Sequence, residues 1–221
     1  MAAEFKDRLA AMIAGWIRVG FCQGNFNADN CLVGGRTMDY GPFGTTIAAC
    51  MHALALFQLH TLNHPYFPSA PGFAAMFDPE WCSWVGGANE YSKHYSFWNQ
   101  FDAGHANFKV FTRSLLPLLD AHGAQQLKAI EDSFPAAAKL HLNQAMSAKL
   151  GVATTHPAFE PLLKQCLEVM KAHKADWTMF WRQLAELRAL LGQADDAAVA
   201  EKVMKPAFYE SGSAESAAMQ A

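Results

Sequence analysis

The apolar positions of this chain mostly fall three and four residues apart. Over 4–20, Leu9, Ala10, Ile13, Trp16 and Ile17 share one side of an amphipathic helix that stops near Gly20. The periodicity then lapses. Residues 21–44 form a Gly- and Asn-rich loop region with short extended pieces such as Cys31-Leu32-Val33. The apolar run from Ile47 to Leu62 reads as helical, but it is shorter than the ~20 residues needed to cross a bilayer and contains His52 and His60. His64-Pro65 to Pro71-Gly72 is a proline-rich break, and 78–104 reads as loop, with Asp78-Pro79, Gly86-Gly87 and many aromatics. Helical spacing returns over Asn107 to Ala121, through Phe108, Phe111, Leu115, Leu118 and Leu119. It continues over 123–150 with a break at Pro135, then over 157–173 and 175–191. From 193 to 221 the chain is small and polar, which predicts a disordered tail. The predicted class is mainly α.

Composition narrows what such a body can do. Hydrophobic residues make up 52% and charged residues 17%, with a formal net charge of -3. A charge that small gives no electrostatic case for nucleic acid or an anionic membrane surface. The five cysteines are scattered, odd in number and without a CxxC pair, so reduced, mostly buried thiols are expected. The start, MAAEFKDRLAAMIAGW, lacks the basic opening and unbroken apolar core of a signal peptide. A chain that opens directly in a helix predicts that part of the fold lies upstream of Met1.

The chemistry is concentrated in GFCQGNFNADNCLVGGRTMDYGPFG, from Gly20 to Gly44. Asn25, Asn27, Asp29, Asn30 and Asp39 gather amide and carboxylate oxygens, which suit a hard cation such as Mg²⁺. Asn- and Asp-rich loops are also ordinary turn formers. The combination is more specific than either motif: a helix, a loop with two metal-type residues, a hairpin through Gly34-Gly35, then Asp-aromatic-Gly. Against the protein-kinase pattern H-R-D-x-x-x-x-N and D-F-G, Asn25 falls on the catalytic Asp, Asn30 on the metal-binding Asn and Asp39-Tyr40-Gly41 on D-F-G. An amide cannot take a proton from a hydroxyl at neutral pH, so Asn25 cannot be a general base. Asp29 is the other nearby carboxylate.

These residues resemble the selenoprotein O family, whose members have a protein-kinase-like fold. The resembling features are Gly-Phe-Cys, Asn-x-Asp-Asn and Asp-Tyr-Gly-Pro-aromatic-Gly. Phe77-Asp78-Pro79, Tyr95 to Gln100, the helix from Asn107 to Leu119, Lys149-Leu150-Gly151 and Ala175 to Thr178 follow in order. The resemblance implies the mainly helical C-lobe of a kinase-like fold over 1–192, with the N-lobe missing. It further implies transfer of AMP from ATP to Ser, Thr or Tyr hydroxyls of proteins, with Mg²⁺ or Mn²⁺. Asp29 would be the proton acceptor, and Asn30 and Asp39 would bind the metal, Asp39 also lying near the nucleotide. The partners implied are ATP and hydroxyl-bearing proteins, with no nucleic acid and no membrane. Eukaryotic relatives are often mitochondrial, although no targeting segment is present here.

The sequence departs from the family in three ways. No GxGxxG occurs and no Lys lies in a strand pattern before residue 21, so this chain alone is expected to be inactive. Residues 45–72 interrupt the register, which resumes at Phe73. They read either as a retained intron, with Gly44-Thr45 and Pro71-Gly72 codable as splice sites, or as a genuine helical insertion. The tail after about 195 does not follow the family and carries no terminal Cys motif.

Other readings are weaker. His52, His60 and His64 lack a nearby carboxylate and do not make a metal site. His105 and His122 read as helix-end residues. Trp81, Trp84, Tyr91, Tyr95, Phe97 and Trp98 read as a core that fixes the loop rather than a stacking platform. Arg182 and Arg188 read as surface residues. A γ-phosphoryl-transferring kinase and a non-catalytic interaction fragment are the alternative functions.

Overall fold

The computed structural model describes residues 1–38, 77–82, 93–190 and 196–209. The described residues are mainly helical and divide into two compact units: 1–73 with 79–145, and 74–78 with 146–221. The helical run expected over Ile47 to Leu62, the segment 45–72, and Asp39 itself lie outside the described residues.

In the first unit, α1 (Ala2–Val19) buries Phe5, Leu9, Ala10, Ile13, Ala14, Trp16 and Ile17, the face predicted from the spacing. Gly20 ends it at φ 79, a left-handed conformation that glycine adopts without steric cost. The chain then forms the 3-10 turn Ala28–Asn30 and the hairpin β1 (Cys31–Leu32) and β2 (Arg36–Thr37), antiparallel with Cys31 opposite Thr37. This is the hairpin expected through Gly34-Gly35.

Helix α2 (Gln100–Leu115) begins seven residues before the predicted Asn107. Gly104 lies inside this helix for a packing reason. A Cβ there would stand 2.3 Å from Ile13 Cδ1, so the glycine lets α1 and α2 approach closely. Phe5 seals the same contact against Phe108 and Phe111, at ring separations of 5.5 and 4.9 Å. His105 therefore sits mid-helix and not at a helix end. Asp120 caps α3 (Ala121–Asp132) through Gly123 N–H at 2.7 Å. Pro135 falls in the first turn of α4 (Phe134–Leu150), where a missing N–H costs nothing.

In the second unit, α5 (Phe159–Ala172) precedes α6 (Trp177–Leu190), and Asp176 caps α6 by accepting from Met179 N–H at 2.7 Å. The disorder expected from 193 does not hold over 196–209. Asp196–Met204 is helix α7, and Ala207 is fully buried. Asp176 N–H donates to Ala207 O at 2.8 Å, and Tyr209 donates its hydroxyl to Asp176 Oδ2 at 3.2 Å. Ala207, one of the small residues that predict disorder here, packs where this segment meets Asp176.

Candidate active site

The loop after α1 is fastened from beneath by aromatic packing. Trp16 meets Phe21 and Phe26 edge-on at 5.8 and 4.9 Å, and Phe26 is fully buried. Two side-chain amides of α2 fix the backbone between them. Asn107 Nδ2 donates to Phe26 O at 2.9 Å. Gln100, also fully buried, accepts from Gln23 N–H at 2.9 Å and donates to Phe21 O at 3.1 Å and Phe97 O at 3.0 Å. Sequence reasoning gave neither amide a role at the site. Their signal was available: two amides seven apart fall on one helix face, here among the buried residues Ala103, Gly104 and Phe108.

Of the aromatic group, Trp81, Tyr95 and Trp98 are half-buried. Phe97 is fully buried and its N–H donates to Trp81 O at 2.8 Å, while Cys22 Sγ donates to Tyr95 O at 3.3 Å. Trp84 and Tyr91 lie outside the described residues. Cys22, Cys31, Cys82 and Cys166 are reduced thiols, and burial pushes the Cys31 thiol up to about 12.

Above this base the asparagines organise one another. Asn27 caps the 3-10 turn, its Oδ1 accepting from Asp29 N–H at 3.1 Å and Asn30 N–H at 3.2 Å. Asn27 Nδ2 donates to Asn25 Oδ1 at 3.1 Å, so the residue at the usual base position is spent on structure. Asn30 is held on three sides. Its N–H is capped, its Nδ2 donates to Asn25 O at 2.8 Å, and its carbonyl accepts from Thr37 Oγ1 at 2.9 Å and Met38 N–H at 3.1 Å. Its Oδ1 has no hydrogen-bond partner among the described residues. Asp29 is exposed, with its carboxylate next in sequence to this amide. Thus the structure brings Asp29 and Asn30 together on one turn. Asp39 follows Met38, the residue that donates to Asn30.

An amide oxygen oriented by its own NH₂ group is the kind of donor that a hard cation takes. Among the described residues no group of three or more His, Cys, Asp or Glu side chains could hold a metal ion by itself. No helix of the described residues is long and apolar enough to cross a membrane.

Residues 1–47 and 66–217 match the family described as Protein adenylyltransferase SelO. The match includes the segment after 195 that sequence reading had set outside the family, and it skips 48–65, a narrower stretch than 45–72. The chain is 31% identical over 199 residues to the "Protein nucleotidyltransferase YdiU" of Burkholderia pseudomallei (strain 1106a), covering 85% of this chain and 32% of the relative. It is 32% identical over 187 residues to the protein of that name from Bordetella petrii, covering 84% of this chain and 31% of the relative. The chain therefore spans about a third of the length of these curated relatives. With a family match over most of its residues, the chain belongs to the protein adenylyltransferase SelO family.

Proposed function

We propose that this chain carries the metal-binding part of a protein adenylyltransferase, on the helical C-lobe of a kinase-like fold. The observation that carries the reading is Asn30, tied at N–H, carbonyl and Nδ2 while its Oδ1 stays unengaged. Asn30 Oδ1 and the Asp39 carboxylate would hold Mg²⁺, or Mn²⁺, which supplies positive charge against the nucleotide phosphates. Met38 supports the pairing, because it joins Asp39 in sequence to Asn30 by a hydrogen bond of 3.1 Å. Asp39 would also lie near the nucleotide.

Asp29 would take the proton of a Ser, Thr or Tyr hydroxyl on a protein substrate. The hydroxyl oxygen bonds to the α-phosphorus of ATP, the bond from that phosphorus to the bridging oxygen breaks, and pyrophosphate leaves. Asn25 favours this over γ-phosphoryl transfer, since its amide is committed to Asn27 and cannot act as a base. Residues 45–72 are proposed as an insertion into the family framework, which the unmatched stretch 48–65 supports.

No Gly-rich phosphate loop is present in this sequence. We therefore expect the 221-residue chain to bind ATP in a Mg²⁺-dependent way but to transfer no label from ATP labelled at the α-phosphate. Asp39→Ala should abolish the Mg²⁺-dependent part of the binding, measured by calorimetry. An interaction module would show no such component in either protein, and that result would sink the reading. Label transfer by the wild type alone would establish adenylylation and refute only the incompleteness of the chain.

A further inference from the structure

The 3-10 turn that carries Asp29 and Asn30 contains no buried residue. Apolar packing therefore does not place it, and its position must come from hydrogen bonds. Those bonds lead inward. Asn30 O accepts from Thr37 Oγ1 at 2.9 Å, and Thr37 Oγ1 in turn accepts from Gln23 Nε2 at 3.4 Å. Gln23, 2% exposed, has its own N–H held by Gln100, which is 0% exposed. Interior amides are costly unless paired, so a chain of three buried polar side chains ending on one loop carbonyl needs a reason.

We propose that Gln100, Gln23 and Thr37 form a positioning relay that sets where the Asn30 amide oxygen stands, with Thr37 as its last link. The inference rests on reading Asn30 as a metal ligand. Residues that orient a ligand from behind typically change metal affinity by ~10–100-fold when replaced. Thr37 is well suited to the task because it sits on β2, opposite Cys31, and its hydroxyl bonds back across the ladder to the residue before β1.

Thr37→Val keeps the shape and removes the hydroxyl, whereas Thr37→Ser keeps the hydroxyl and removes the methyl. Mn²⁺ affinity of the 221-residue chain with ATP present, read by electron paramagnetic resonance, should fall about 10–100-fold in Thr37→Val. It should stay near the wild-type value in Thr37→Ser. Hydrogen exchange without metal or nucleotide tests the relay by itself: the Asn30 and Met38 amides should exchange faster in the Val variant and not in the Ser variant. Wild-type exchange and affinity in Thr37→Val would overturn the relay. So would a Ser variant as weak as Val, since packing and not the hydroxyl would then be responsible. A wild type that binds no Mn²⁺ while its exchange still responds to Thr37→Val would overturn the metal reading, and the inference with it.

Discussion

His105 shows how a single residue can escape a sequence reading. Its ring stacks on Phe134 at 5.0 Å with an interplanar angle of 4°, and its Nε2 is shielded from water without a hydrogen-bond partner among the described residues. Burial lowers its pKa from the ordinary 6.5, Lys109 lowers it further, and Glu131 and Asp102 oppose the shift. In the folded state the neutral ring is favoured, so the unfolded chain binds the proton more readily. Stability should thus be complete above pH 6.5 and decline as pH falls from there through the lower folded-state value. Urea denaturation at a series of pH values should show this decline, and His105→Phe should flatten it. An unchanged profile in His105→Phe would show that other groups govern the acid limb. The stacking partner lies on α4, far along the chain, so local pattern alone does not show that the ring is packed.

At the scale of elements, the hairpin and α1 fit together through one glycine. Gly35 has φ 73, and a Cβ on it would come within 2.2 Å of Arg8 Cβ and 3.0 Å of the Arg8 carbonyl carbon. Gly34, beside it, has nothing within 4 Å. Gly35→Ala should cost at least ~2 kcal/mol, from the left-handed backbone and from overpacking against α1 backbone. Gly34→Ala should stay within about 0.5 kcal/mol of wild type. Equal effects in chemical denaturation would refute the docking of the turn on α1. The contrast also separates what could be read in advance. The hairpin was legible because Gly-Gly between extended pieces is a local signal. The difference between the two glycines was not, because it depends on Arg8, a full helix away. The same division runs through the site. Motif spacing pointed to Asp29 and Asn30 as candidates, while Gln100 and Asn107 were not legible because their partners are loop backbone atoms 77 to 81 positions earlier in the chain. The first turns of α2 were not legible, because the close approach of Ile13 that Gly104 admits is a tertiary contact.

For the molecule as a whole, the open matter is how 45–72 relates to the family framework. The sequence register suggests that the framework runs from Gly44 to Phe73, whereas the family match skips 48–65 and resumes at residue 66. Two physical situations predict different melting behaviour. The cost of closing a flexible loop grows slowly with length, by ~0.6 kcal/mol for each doubling. If 45–72 adds only loop, an in-frame deletion should therefore raise stability slightly or leave it unchanged, a shift of no more than about 2–4 °C for a chain of this size. If Ile47 to Leu62 instead forms a helix buried against the body, deletion removes many apolar contacts, each worth ~1.5–3 kcal/mol per large side chain. The melting temperature would then collapse. Deletion of 45–72 is expected to leave the melting temperature within the smaller range and to preserve hydrogen-exchange protection over α1 and the hairpin. A large fall in melting temperature, together with lost protection there, would establish the segment as a structural part of this protein and remove the case for a retained intron.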